Sequence, residues 1–281
     1  MKYRHSFHAG NFADVHKHVT QLALLSSLKR KDKGFLYLDT HAGRGSYDLS
    51  SPSPEATAGI VRFLGATHRA PELSAYAALL ARFRERPGQR HRYPGSPLIA
   101  ALEMRGQDRA VLIELSAGEA HSLEAALAAA GARRVHVERG DGFERLRGFL
   151  PPPERRALTF IDPPYEETAQ DFARVSALLA EGLRRFPSGV FAAWFPIKEE
   201  RSTTAWVSGC TRTLGAPALV SELWLYPRDS RVGLNGSGLL IANPPYLTLE
   251  RMQVWLPELE QCLAAGPGGG ASVRMCQNGG R

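Results

Sequence analysis

Residues 157–165 read Ala-Leu-Thr-Phe-Ile-Asp-Pro-Pro-Tyr, an apolar run that ends in an acid, two prolines and an aromatic ring. The run from Ala157 to Ile161 predicts a strand buried on both faces. Prolines cannot continue a hydrogen-bonded ladder, so the strand must stop at Asp162. That presents a carboxylate at the carboxyl end of a central strand, where open α/β sheets hold their ligands. The Asp162 side chain and the Pro163 carbonyl can take both N–H bonds of an amino group and turn its nitrogen lone pair towards an electrophile. Tyr165 offers a ring face on which a flat base can stack. A strand end with a plain Pro-Pro turn would use the same residue types, so the surroundings must decide.

Three other strand ends supply those surroundings. Phe35–Asp39 predicts the first strand, and Thr40–Gly45 a glycine-bearing turn that lets a ligand approach the backbone. Ala110–Leu115 predicts the second strand, and Glu114 at its end can accept both hydroxyls of a ribose. Val135–Glu138 predicts the third, followed by Gly140-Asp141-Gly142. There Asp141 can meet an adenine amino group and Gly142 leaves room for the ring. Each acid alone is a common strand terminator; in this order they outline a nucleoside site beside Asp162. Asp-Pro-Pro-Tyr in that position resembles the catalytic motif of S-adenosylmethionine-dependent methyltransferases that modify exocyclic amino groups of nucleobases. Asn243-Pro244-Pro245-Tyr246 also matches the pattern. It follows the last expected strand, with no further acidic strand ends behind it, so it is assigned to a structural turn at the sheet's far side.

The remaining elements follow from periodicity and caps. Asn11 and Asp14 predict a helix start; Val15, Val19, Leu22, Leu25 and Leu28 keep helical spacing, and Gly34 is expected to stop the helix. Helices near 54–66 and 71–86 form an insertion after the first strand, with Arg82, Arg84, Arg86, Arg90 and Arg92 giving it a basic face. Tyr93 to Pro97 is read as a turn, with Ser96 as N-cap of a helix to about Met104. Ser116 and Glu119 predict a capping box. Helices over roughly 167–186, up to 208 and over 248–265 alternate with strands at 190–196, 217–226 and 237–243. The expected fold class is α/β: a Rossmann-like, doubly wound, mostly parallel sheet. The expected organisation is a main domain over 1–47 and 94–265 that opens with a helical motif at 1–33, a helical insertion at 48–93, and a Gly-rich tail at 266–281, read as a disordered end.

Composition removes several alternatives. With 43% apolar residues among 281, a full core is available. No apolar run approaches a membrane span, no signal-peptide core follows the N-terminus, and three scattered cysteines argue for a reducing compartment, so a cytoplasmic protein is expected. A monomer is the expected state, though none of these features bears on it. A net charge of +7 suits a polyanionic partner. His5, His8, His16, His18 and His41 lie near one another in sequence, but no cysteine pair accompanies them, so no metal is expected. His18 and His41 suit hydrogen bonds to a cofactor's carboxylate or ribose instead.

The N-terminus adds a family resemblance. Tyr3-Arg4-His5-Ser6-Phe7-His8-Ala9-Gly10-Asn11, then Ala13-Asp14-Val15 and Lys17-His18, resembles the opening of the RlmJ family. So do Leu36 to Gly43, Tyr93 to Pro97, Gly140 to Gly142 and Ile161 to Tyr165. The resemblance implies an S-adenosylmethionine-dependent methyltransferase acting on N6 of one adenine in 23S ribosomal RNA. It implies that His18, His41, Ser96, Glu114, Asp141, Gly142 and Asp162 meet the cofactor. Asp162 would be the catalytic residue, with Pro163 and Tyr165 beside it, and Tyr3 would lie at the substrate adenosine. Lys17 and the insertion arginines are expected to hold RNA phosphates. Two other readings stay open: a guanine-N2-methyltransferase of ribosomal RNA, and a non-catalytic RNA-binding protein on a methyltransferase fold.

Overall fold

Apolar strands and the helices between them build one mixed sheet. A computed structural model describes residues 8–276 except 229 and 231. The chain opens with α1 (Phe12–Lys29), β1 (Leu36–Asp39) and β2 (Ser46–Asp48). A helix over 54–65 (α2), with a π-helical stretch at Thr57–Val61, leads to α3 (Pro71–Arg84), β3 (Arg92–Pro94) and α4 (Ser96–Glu103). Then come β4 (Arg109–Glu114), α5 (Ala117–Ala129), β5 (Val135–Arg139), α6 (Gly142–Arg145) and β6 (Ala157–Ile161). The chain continues through α7 (Thr168–Arg185), β7 (Val190–Ile197), α8 (Glu200–Thr213), β8 (Ala218–Trp224), β9 (Gly236–Ala242), α9 (Thr248–Leu263) and β10 (Gly270–Cys276).

The sheet runs β10-β8-β9-β7-β6-β1-β4-β5. From β5 to β7 every pairing is parallel. Strand β9 is antiparallel to β7 and β8, and β10 is antiparallel to β8. Only β9 and β10 therefore run against the rest. Alternate residues face opposite layers: Tyr37, Leu112 and Phe160 join one core, with residues of α1, α3, α4 and α9. Leu36, Leu38, Val111 and Ile161 join the other, with residues of α7 and α8. Two covered faces are what the near-continuous apolar strands require.

Several expectations are corrected. Within the Gly-rich tail, Gly270–Cys276 is not loose but zips onto β8 as an edge strand over seven registered pairs. Its glycine content hid an extended segment, Ala-Ser-Val-Arg-Met-Cys, that β8's free edge can pair. Helix α1 ends at Lys29 rather than at Gly34. It is also buried nearly all round, not along one stripe, because its polar residues find distant partners: His16 bridges Ser237 Oγ (3.0 Å) and Ser221 Oγ (2.9 Å). The turn at 93–97 begins as β3, which pairs with β2 and closes the neck of the excursion between them. Gly95, not Ser96, is the N-cap of α4. The expected cap hydroxyl is engaged elsewhere, donating to Asp39 Oδ2 at 2.7 Å. Gly59 in α2 is demanded by a close approach: a Cβ there would lie 2.3 Å from the Gly10 carbonyl oxygen. Among the described residues no helix is long and apolar enough to cross a membrane.

Candidate active site

Because β6 lies between β1 and β7, residue 162 emerges at the middle of the sheet's carboxyl edge. The Asp162 carboxylate meets Lys17 Nζ at 2.5 Å, and the same ammonium reaches Asp14 Oδ1 at 3.0 Å. These side chains are 11%, 5% and 6% exposed, so they form a nearly dry acid–cation–acid row. Asp14 is fixed in turn by the helix start: its backbone N–H donates to Asn11 Oδ1, and its Oδ2 accepts from Gly10 N. The Lys17 ammonium also stands 5.0 Å from the Trp194 ring centroid. Lys17 was expected among RNA phosphates; instead its charge is committed to two carboxylates. Sequence could not show this, since Lys17 and Asp162 are 145 residues apart.

The Pro-Pro turn ends in a residue bent into the protein. Tyr165 has φ +51°, its hydroxyl donates to the Trp194 carbonyl at 2.6 Å, and its ring meets Phe172 and Trp194 edge-on. The side chain is 3% exposed, so the ring offers little open face for stacking, and the residue forms part of the wall of a cavity beside Asp162. Tyr165 acts as an anchor that fixes the turn carrying Asp162.

A cavity of about 790 Å³ opens along the strand ends. His18, His41, Ser96, Glu114, Asp141, Gly142 and Asp162 all contribute to its wall. Glu114 accepts from Gly43 N (2.8 Å) and Ser116 N (2.7 Å), which ties the first turn to the second strand end; burial nonetheless pushes its carboxyl up. That second bond replaces the reciprocal half of the expected capping box, for Glu119 reaches Arg44 instead. Asp141 caps α6 through Phe143 N at 2.9 Å and pairs with Arg174 at 2.8 Å. Gly142 is needed for a reason besides room for a ring: a Cβ would lie 1.9 Å from the Thr40 carbonyl oxygen. His41 bonds Thr40 Oγ1 at 2.8 Å, and burial lowers its pKa to about 4, so it is neutral near pH 7. His18 Nδ1 lies 2.6 Å from the Tyr93 hydroxyl. Beneath them, burial raises Asp39 to about 6 against the opposing hydrogen bonds from Ser96, Tyr37 and the His41 N–H. Residue-by-residue reading missed Arg174, which lies over the Phe143 ring at 3.8 Å; nothing in the spacing within α7 marks it.

A second cavity, about 310 Å³, lies on the other side of Asp162. Lys17, Asp162 and Pro164 line both spaces. Pro163, Trp194, Pro196 and Leu234 give the smaller one flat apolar walls, and Asn11, Glu55 and Lys198 give it polar ones. The sequence offered no sign of Trp194, Glu55 or Lys198. Tyr3 lies outside the described residues. Glu55, from α2, bonds His8 at 2.8 Å, so the insertion reaches this wall.

The other candidates serve the fold. Antiparallel β9 delivers Asn243 to the opposite edge, where its amide donates to the Pro187 and Gly189 carbonyls at 2.7 and 2.9 Å. Of the insertion arginines, Arg82 pairs with Glu103, Arg86 donates to the Ala130 carbonyl and Arg92 to Ser46, so the expected basic face is partly consumed internally. Among the described residues no group of three or more His, Cys, Asp or Glu could hold a metal ion.

Comparison with known proteins points in one direction. A family model described as ribosomal RNA large subunit methyltransferase D, RlmJ, matches residues 32–276. The protein named ribosomal RNA large subunit methyltransferase J of Escherichia coli (strain K12) is 41% identical over 277 residues, spanning 97% of this chain and 98% of its own. Its namesake from Haemophilus influenzae is 38% identical over 94% of each chain. A crystal structure of a Legionella pneumophila protein, 33% identical, superposes with a TM-score of 0.86 over 97% of this chain and 99% of that one.

Proposed function

This chain belongs to the RlmJ family of ribosomal RNA large subunit methyltransferases, and from that premise we propose that it methylates the exocyclic N6 of one adenine in 23S ribosomal RNA. The observation that carries the reading is the position of Asp162 in the wall shared by two cavities. The larger suits S-adenosylmethionine: carboxylates at two adjacent strand ends, a glycine-bearing turn and neutral His41 match a nucleoside with two ribose hydroxyls and an amino-acid tail. When bound, that cofactor supplies a methyl group made electrophilic by its sulfonium. His18, His41, Ser96, Glu114, Asp141 and Gly142 would hold it.

The smaller cavity has the dimensions and flat walls for one unstacked base. Adenine N6 is a poor nucleophile because its lone pair is conjugated into the ring. Asp162 and the Pro163 carbonyl accept its two N–H bonds and favour the pyramidal amine, whose lone pair then faces the shared wall. As positive charge develops on nitrogen, the Asp162 carboxylate, only 11% exposed, stabilises it. Lys17 compensates that carboxylate in the absence of substrate, and Asp14 keeps Lys17 compensated when Asp162 turns to the amine. Tyr165 fixes the turn, and Tyr3 is assigned to the substrate adenosine by family resemblance. The chain is proposed to act as a cytoplasmic monomer.

Nucleoside mass spectrometry of 23S RNA from cells lacking this protein tests the proposal. One N6-methyladenosine should disappear and return with the wild-type chain but not with Asp162→Asn. Loss of an N2-methylguanosine instead would reassign the base. Absence of donor binding in calorimetry would support the non-catalytic reading.

A further inference from the structure

Two buried phenols connect the inserted helices to the larger cavity through His18. The Tyr93 hydroxyl lies 2.6 Å from His18 Nδ1, the Tyr76 hydroxyl 3.4 Å from the same nitrogen, and the two hydroxyls 3.1 Å from each other. Both tyrosines are wholly buried and His18 almost so. Tyr76 belongs to α3 of the insertion and Tyr93 to β3 at its neck, whereas His18 belongs to α1 and lines the cavity. Neither tyrosine lines the cavity itself.

Counting hydrogens fixes the protonation of this triangle. Burial pushes both phenols well up, so each keeps its O–H. Buried hydroxyl hydrogens need acceptors. If Nδ1 of His18 carried the imidazole hydrogen, it would offer no lone pair. Tyr93 and Tyr76 would then have two O–H groups and one remaining acceptor relation between them. If Nδ1 is bare, Tyr76 donates to Tyr93 and Tyr93 donates to Nδ1, and every hydrogen in the triangle is used. The 2.6 Å separation fits a phenol donating to an imidazole nitrogen.

We infer that Tyr93 and Tyr76 are positioning residues for methyl-donor binding: they hold His18 with its hydrogen on Nε2 and fix its ring against the cavity. The inference rests on the reading of the larger cavity as the donor site. It also gives the insertion a role at that site, because Tyr76 on α3 completes the relay.

Two measurements on the full chain test it. Imidazole nitrogen NMR of the wild-type protein should show His18 with a bare Nδ1 and a protonated Nε2. In steady-state assays, Tyr93→Phe should raise the donor KM on the order of tenfold, while kcat at saturating donor changes by less than about threefold. Tyr76→Phe should shift the same parameter in the same direction by less. A general loss of folded protein would lower the amount of active enzyme without moving the donor KM or the tautomer. A hydrogen on Nδ1 in the wild type overturns the inference, as does a donor KM for Tyr93→Phe within about twofold of wild type. Should Tyr93→Phe fail to fold, the wild-type spectrum and Tyr76→Phe decide. A wild-type chain that takes up no donor in calorimetry defeats the donor-site reading itself. Normal uptake with an insensitive Tyr93→Phe defeats only the positioning role.

Discussion

Replacing Lys17 by Met separates what the cation does for the fold from what it does for the reaction. Lys17 lies between Asp14 and Asp162 at 3.0 and 2.5 Å, in a row no member of which is more than 11% exposed. Removing the ammonium takes the shared counter-ion from two nearly buried carboxylates, of which Asp14 keeps its hydrogen bond from Gly10 N. Loss of one partner from a buried ion pair costs roughly 3–5 kcal/mol. Methionine is close in length and keeps an apolar contact beside the Trp194 ring, so little cavity cost is added. For a chain of this size the melting temperature should fall on the order of 10 °C. Asp162→Asn should behave differently, because Lys17 remains paired with Asp14; its stability cost should be about 1 kcal/mol, with methyl transfer lost. The double variant, Lys17→Met with Asp162→Asn, leaves one carboxylate without its counter-ion instead of two and should recover roughly half of the lost stability. Thermal and urea unfolding of the four proteins, with methyl transfer assayed alongside, gives the full cycle. The reasoning fails if Lys17→Met melts within about 2 °C of wild type, or if the double variant is no more stable than Lys17→Met.

Three further outcomes follow from the same geometry. Gly142→Ala would set a Cβ 1.9 Å from the Thr40 carbonyl oxygen; calorimetry should find donor binding lost, and wild-type affinity would refute the close approach. Asn243→Ala frees two carbonyls and leaves alanine at φ +52°, so unfolding should show a loss of about 2–3 kcal/mol. Transfer per folded molecule should not change, and a catalytic loss would revive the second Pro-Pro motif. Burial lowers His16 to about 3 and His41 to about 4, both from 6.5, so their stabilising contribution is present above pH 6.5 and lost as pH falls below it. Asp39, raised to about 6 from 3.8, works oppositely, favouring the fold as it protonates, but its shift is smaller than that of His16. The melting temperature should therefore drop between pH 6.5 and 4, less steeply in His16→Gln, and a pH-independent melting temperature over that range would contradict the assignment.

Much of the sheet was legible because buried parallel strands are written as unbroken apolar runs with an acid at the end. The ends of β1, β4 and β6 could be placed this way; that of β5, a half-exposed edge strand, was marked by the Gly140-Asp141-Gly142 turn behind it, and all four ends gather around one cavity. What was hidden lies in long-range partners. A helix with His16, Lys17 and His18 in a row reads as half exposed until Ser221, Ser237, Asp162 and Tyr93 arrive from elsewhere to satisfy it. The Tyr165 ring points inward because its backbone takes a left-handed turn, a conformation the Pro-Pro-Tyr spelling does not specify. Ser96 looked like a helix cap, and the buried Asp39 carboxylate proved the stronger claim on its hydroxyl. Strand β10 was masked by glycines flanking a short extended segment that only β8's open edge organises.

A crystal structure of this protein with S-adenosylhomocysteine and adenosine monophosphate tests the shared wall most directly. The donor product should fill the larger cavity beside Glu114 and Asp141. The adenine should sit in the smaller one, with N6 hydrogen-bonded to Asp162 and the Pro163 carbonyl. An adenine bound away from Asp162, or a donor product outside the larger cavity, would contradict the account.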